Sequence, residues 1–246
     1  MTDAERPGRR LGILGGMGPL ATADFYRRLV ERTPAGMDQE HLPVAIWADP
    51  RVPDRTAALL GLGPSPVPAL LEGVRWLESA GADVIAIPCN TAHAYVEDIR
   101  AASGVPLLDM IGAALADARR CDEDVTRVGV LATRGTRSAR LYERAAEAHG
   151  VTIVQVPDDV QTDLVDRAIR AVKHGADLDQ AALWIESAAG VLRDLGAQVA
   201  VAACTEIPLV GARAARVIPV VDSTASLVEY TMARLWSPSS ASPARH

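Results

Sequence analysis

Two stretches of this chain, 115 residues apart, repeat one design. GADVIAIPCNT runs from Gly81 to Thr91, and GAQVAVAACTE runs from Gly196 to Glu206. Each opens Gly-Ala, continues as a short apolar run, and reaches a cysteine eight residues on, at Cys89 and Cys204. Their upstream partners match as well. LGILGG begins at Leu11 and VGVLAT at Val128, so Gly12 stands 77 residues before Cys89 and Gly129 stands 75 before Cys204. The segments that follow pair too, VPLLD (105–109) with IPVVD (218–222). A chain with two halves of the same element order is expected to fold as two units of like topology.

The local pattern says which topology. RLGILGG, PVAIWAD, ADVIAIP, VPLLD, RVGVLAT, VTIVQVP, QVAVAA and VIPVVD are short, nearly continuous apolar runs. Runs of that kind suit parallel strands covered on both faces. Helical segments lie between them: ATADFYRRLVERT, with Phe25, Leu29 and Val30 on one face, then ARLYERAAEAH and AALWIESAAGVLRDLG. The alternation predicts an α/β fold of two pseudo-symmetric, Rossmann-like domains with mainly parallel sheets. Residues 1–112 form the first, completed by a C-terminal helix at about 223–236. Residues 113–222 form the second, and 237–246 (SPSSASPARH) read as a flexible tail. In open α/β sheets, ligands sit outside the carboxyl ends of the strands. Both cysteines occupy that position, so a pseudo-twofold axis would set them across one cleft.

Composition narrows the function. The net charge is −6 with both signs dispersed, and no basic run marks a nucleic-acid surface. No apolar run approaches the roughly 20 residues of a membrane-spanning helix. The start, MTDAERPGRR, has no apolar segment behind it and predicts no signal peptide. Three well-separated cysteines, Cys89, Cys121 and Cys204, suit a reducing cytoplasm better than a disulfide framework.

Cys89 and Cys204 are therefore the candidate chemical groups. Each is followed by a helix start, Asn90-Thr91 in one case and Thr205-Glu206 in the other, where amides and the helix dipole lower a thiol pKa. Cys121, in RRCDEDV, reads as an ordinary loop residue. Cys89, His93, Cys204 and Glu206 offer ligand types for zinc, but without the close pairs of a structural site. GGMGPLATA carries G-x-G-x-x-A at Gly16, Gly18 and Ala21, a degenerate dinucleotide fingerprint. Asp49 lies 31 residues beyond Gly18, farther than that motif's usual spacing of about 20. The glycine turn reads better as backbone amides open to a small anion. Arg55, and less strongly Arg51, leave the carboxyl end of a strand and suit a carboxylate clamp. Lys173 closes a helix before Gly175.

Taken together, GILGGMGPLATADFY, DQEH, PDRTA, GADVIAIPCNTAH, the VGVLAT and GT pair, and ACTE resemble the aspartate/glutamate racemase family, aspartate racemases most closely. The resemblance covers nearly the whole chain in order. It implies two α/β domains, often a homodimer, with the active site between them and no cofactor. It implies Cys89 and Cys204 as the catalytic pair, one removing a Cα proton and the other delivering one to the opposite face. Arg55 and Lys173 are implied substrate-carboxylate contacts. Met17, Gly18, Asn90, Thr91, Thr133, Thr205 and Glu206 are implied to line the substrate site. The substrate expected is an acidic amino acid, aspartate first, glutamate or another acidic amino acid next. A maleate-type cis–trans isomerase and a small-ligand binder of the same fold are the remaining readings. Ala48-Asp49, where the family often carries Asn-Asn, and Arg134, where many members have a small or neutral residue, add charge near the site and are expected to bear on substrate choice.

Overall fold

Strands and helices alternate along residues 9–122 and 124–236, the part of the chain described in this computed structural model. The expected tail, 237–246, lies outside the described residues. The first half runs β1 (Leu11–Gly15), α1 (Pro19–Arg32), β2 (Val44–Ala48), α2 (Arg55–Leu59), α3 (Val67–Ser79), β3 (Val84–Ala86), α4 (Val96–Ala102) and α5 (Met110–Arg120). Then follow β4 (Arg127–Ala132), α6 (Arg134–Ser138), α7 (Leu141–Ala146), β5 (Thr152–Gln155), α8 (Asp158–Val160), α9 (Asp166–Lys173), α10 (Leu178–Asp194), β6 (Val199–Ala203), β7 (Val220–Asp222) and α11 (Ser223–Leu235).

The strands form two parallel sheets, ordered β2-β1-β3 and β5-β4-β6-β7. Strand β1 corresponds to β4, β2 to β5 and β3 to β6, so the echo in the sequence is an echo in topology. Every residue of β1 and β6 is buried, whereas the edge strands β2 and β5 are partly exposed. The Gly-Ala that opens each echoed segment has a structural cause. Gly81 and Gly196 close α3 and α10 at φ +80° and +86°, a left-handed conformation that costs glycine nothing. The alanine after each then packs beside the glycine of the neighbouring central strand. A β-carbon on Gly12 would lie 2.9 Å from Ala82 Cβ, and one on Gly129 would lie 3.1 Å from Ala197 Cβ.

Helices cover both faces of each sheet. Phe25 and Leu29 of α1 join Leu11, Ile13 and Val84 of the first sheet, and Leu227, Val228, Met232 and Leu235 of α11 complete that cluster. Leu70, Val74 and Leu77 of α3 cover the other face. Helix α5 packs through Ile111, Ala114, Leu115 and Ala118 on Val128, Val130, Val199 and Val201 of the second sheet, and α9 and α10 cover its far face.

Four local expectations change. VPLLD forms no full strand: only the bridge Leu107 to Ile85 stands where β7 stands in the second half. Val30 is 39% exposed, since the buried line of α1 runs Ala21, Phe25, Leu29 and leaves Val30 on its flank. Thr91–Tyr95 is a 3₁₀-helix rather than an α-helix, and Asn90 makes no side-chain cap to it. After Cys204 comes only a second short 3₁₀-turn, Ile207–Leu209. Among the described residues no helix is long and apolar enough to cross a membrane.

Candidate active site

The carboxyl ends of the strands of both sheets converge on one small pocket. Met17, Asp54, Arg55, Thr56, Cys89, Asn90 and Thr91 line it from the first half. Thr133, Lys173, Cys204, Thr205 and Glu206 line it from the second. Gly18 borders it, for a β-carbon there would stand 3.6 Å from Glu206 Oε1. Every residue that the resemblance implied for the site is thus gathered here, whereas Arg51, the other clamp candidate, is not. Asp54 and Thr56 lie here too without having been singled out. PDRTA held the signal for Asp54, which caps α2 by accepting a hydrogen bond from the Ala57 amide at 2.7 Å.

Cys89 reaches the pocket because the chain bends just beyond β3. Its amide donates to the Ile87 carbonyl at 2.8 Å, closing a three-residue turn on Pro88, whose fixed φ suits the central position. Behind it, His93 is buried. The Met110 amide donates to His93 Nε2 at 3.4 Å, so Nδ1 carries the proton and donates to the Cys89 carbonyl at 2.9 Å. Burial holds the His93 pKa below the usual histidine value. His93 therefore backs the Cys89 turn and does not line the pocket, and both ring nitrogens are engaged. Among the described residues no group of three or more His, Cys, Asp or Glu side chains is gathered as a metal site.

Cys204 follows β6 and is also buried. Its Sγ donates to Glu206 Oε2 at 2.9 Å. Burial pushes the Cys204 thiol well up, the Glu206 charge pushes it further, and Lys173 opposes both. The short 3₁₀-turns after Cys89 and Cys204 carry too few aligned peptides for the helix-dipole effect expected there. Lys173 Nζ lies 4.0 Å from Glu206 Oε1. Burial lowers the Lys173 pKa, but the Glu206 carboxylate and the two cysteines outweigh it and hold the amine above its usual value. One carboxylate thus faces a thiol through one oxygen and an ammonium through the other.

Arg55 is set by three carbonyls. Its Nη1 donates to Val52 and Pro53 at 3.2 and 3.1 Å, and its Nη2 donates to Met17 at 3.2 Å. Nε is buried without a partner, so one Nε hydrogen and one Nη2 hydrogen remain for an acceptor. Thr133 caps α6 and shares a hydroxyl cluster with Thr91 and Thr136 across the two halves, with oxygens 2.8 to 3.1 Å apart. Gln161, fully buried, donates to the Ala132 carbonyl at 2.9 Å and braces the strand end before Thr133; nothing in its sequence context marked it. Asn90 is more committed than expected. Its Oδ1 accepts from Tyr142 at 2.6 Å and its Nδ2 donates to Ser223 at 3.0 Å.

The added charges stay out of the pocket lining. Arg51 is exposed and holds Asp49 through both carboxylate oxygens. Arg134 donates to Asp166 at 3.2 Å and to Thr162 at 2.7 Å. Each charge is answered by a neighbour on its own side.

The profile of the Asp/Glu/Hydantoin racemase family matches residues 14–231. The chain belongs to that family. It is an amino-acid racemase. A solved aspartate racemase from Picrophilus torridus is similar over 92% of this chain and 94% of its own, with TM-score 0.77 and 30% identity. The broad specificity amino-acid racemase RacX of Bacillus subtilis (strain 168) is 27% identical over 229 residues, 90% of this chain and 96% of its own. A glutamate racemase from Francisella tularensis, solved with D-glutamate, shares the fold at TM-score 0.68 and 16% identity over 92% of this chain and 80% of its own.

Proposed function

We propose that this racemase interconverts the enantiomers of an acidic amino acid, aspartate first, with Cys89 and Cys204 as its two acid–base groups and no cofactor. The observation that carries the reading is that two buried thiols, one from each half, line the same small pocket as Arg55 and Lys173. The identity shared with the Picrophilus aspartate racemase over nearly both whole chains favours aspartate. The division into domains at 1–112 and 113–222, with α11 returning to the first, belongs to the same reading.

Racemisation needs a Cα–H bond broken on one face and a new one made on the other. In the protonation state described, Cys204 is a thiol with its hydrogen directed to Glu206. Cys89, as thiolate, takes the Cα proton, and the Cys204 thiol gives its proton to the opposite face. The bond formed at Cys89 is S–H, the bond broken at Cys204 is S–H, and the product is the mirror image. In the reverse direction the roles exchange, and the Lys173 ammonium offsets the charge on Cys204. The carbanion is held as an enediolate, which needs donors at the α-carboxylate, and the amides after each cysteine and Thr205 supply them. The unpartnered Nε hydrogen and the remaining Nη2 hydrogen of Arg55 form a fork for one substrate carboxylate. Lys173 supplies the second cation.

The test is proton exchange in D₂O with L-aspartate and, separately, L-glutamate. Deuterated D-product from the wild type that disappears in both Cys89→Ala and Cys204→Ala is the expected result. Racemisation that persists in either variant would remove the two-thiol reading, and turnover of glutamate alone would remove aspartate.

A further inference from the structure

A chain of three buried hydrogen bonds runs behind the pocket and joins the two cysteine-bearing strand ends. Tyr142 of α7 donates its hydroxyl hydrogen to Asn90 Oδ1 at 2.6 Å. Asn90 Nδ2 donates to Ser223 Oγ at 3.0 Å. Ser223, the first residue of α11, donates to the Ala202 carbonyl at 2.7 Å. Asn90 directly follows Cys89, and Ala202 is two residues before Cys204 on β6. None of the four residues is more than 2% exposed.

The direction of the chain is forced. A carbonyl only accepts, so the single hydroxyl hydrogen of Ser223 goes to Ala202 and its oxygen must accept from Asn90. That fixes the Asn90 amide with its oxygen toward Tyr142, which must then donate. Burial pushes the Tyr142 hydroxyl far above its usual pKa, so it keeps its hydrogen. Each link has one arrangement. A fully satisfied buried network of this kind is rigid, and a partly satisfied one is costly. The anchors at its ends differ in kind. Tyr142 sits in the core of the second sheet with Val128, Val130, Val199 and Val201. Helix α11, which Ser223 begins, packs on the first sheet. The chain thus ties the residue beside one thiol to the strand that carries the other.

We propose that Tyr142 and Ser223 are positioning residues for the racemase reaction, holding through Asn90 the spacing and facing of the Cys89 and Cys204 thiols. This rests on the two-thiol reading above. Neither residue lines the pocket. Their effect falls on the step that requires both thiols at once. A base on one face still removes the Cα proton when the pair is misaligned, but delivery from the other face suffers, and the intermediate returns to the starting enantiomer.

The abstracted proton sits on a thiol that exchanges it with D₂O while the misaligned intermediate waits, so return then writes deuterium into the starting enantiomer. The partition is measurable as a ratio: deuterium entering the unreacted enantiomer against deuterated product of opposite hand, at early times in D₂O with L-aspartate and L-glutamate in turn. The ratio does not depend on how much of a preparation is folded. Tyr142→Phe and Ser223→Ala are compared with the wild type and with Thr231→Val. Thr231 is buried in α11 and bonds only to the Leu227 carbonyl, away from the chain. We expect both relay variants to raise the ratio by about tenfold or more, a displacement of reacting groups by ~1 Å being worth up to about 100-fold. Thr231→Val is expected to lower stability and leave the ratio unchanged. A ratio like the wild type's in either relay variant, with the wild type racemising, overturns the positioning role and leaves the two-thiol reading intact. A wild type that neither exchanges nor racemises overturns that reading, and the positioning role falls with it.

Discussion

The residues that most shape the site are those whose partners lie far away in sequence. Cys89, Cys204, Arg55 and Lys173 stood out because thiols and cations at strand and helix ends are chemically conspicuous. What holds them did not. Glu206 read as a lining residue, yet one oxygen takes the Cys204 hydrogen and the other faces Lys173. His93 stood in the sequence only as one of four ligand types for zinc, yet it is the neutral brace of the Cys89 turn. That brace has a pH signature. The folded protein holds His93 below the ordinary value of 6.5, so the unfolded chain binds its proton first as pH falls. The sign follows: the stability from this group is fully present above pH 6.5, and it is lost as pH falls from there through the folded pKa. The slope cannot exceed about 1.4 kcal/mol per pH unit for one proton. Urea unfolding of the wild type and of His93→Asn, followed between pH 7.5 and the acid limit of the fold, is expected to show the extra slope in the wild type alone. Asparagine keeps a donor near the Nδ1 position and has no group that titrates. Parallel slopes would remove the buried neutral histidine from the account.

At the level of elements, the sequence was most legible where burial is complete. LGILG and VAVAA, the cores of β1 and β6, are apolar throughout because both faces are covered, and their type and position read directly. The short connecting elements were not legible. A 3₁₀-turn after Cys89 and a single bridge at Leu107 depend on partners, not on local pattern. The contact between α2 and α6 is of the same kind. GT in LATRGT looked like a family motif, and the structure gives it a physical cause. Gly135 of α6 lies against Thr56 of α2, and a β-carbon there would stand 2.7 Å from Thr56 Oγ1 and 2.9 Å from its Cα. The hydroxyl can turn away, but the Cα belongs to the backbone and cannot. Gly135→Ala is therefore expected to push the two helices apart, at a cost of about 1–3 kcal/mol for overpacking. Because α2 begins with Arg55 and α6 follows Thr133, both pocket residues shift with it. The expected kinetic result is a raised KM with a smaller change in kcat, read beside the urea midpoint. Unaltered stability and an unaltered KM together would show that the contact is slack.

At the scale of the whole molecule, the repeat explains why two cysteines from different halves meet at all. Equivalent strands of two like sheets end on one side, and the pocket forms where those ends face. The cavity there measures about 20 Å³, roughly the space one water needs. The space is tight and its walls come from both halves, so entry of an acidic amino acid is expected to move the two sides apart. The hydroxyl cluster of Thr91, Thr133 and Thr136 spans the two halves beside the pocket and is the contact that parting would break first. Hydrogen bonds among hydroxyls contribute about 0.5–1.5 kcal/mol each, little enough to open and close during turnover. The variant Thr91→Val keeps side-chain shape and removes the hydroxyl that reaches both Thr133 and Thr136 across the halves, leaving the Thr133 cap of α6 in place. Amide hydrogen exchange of 55–59 and 134–138, the helices on either side, is expected to quicken in that variant. An acidic ligand at saturation is expected to slow it in the wild type, because a filled pocket holds the two sides together. Exchange that is equal in variant and wild type, and insensitive to ligand, would mean that entry follows another route and that these helices stay fixed throughout.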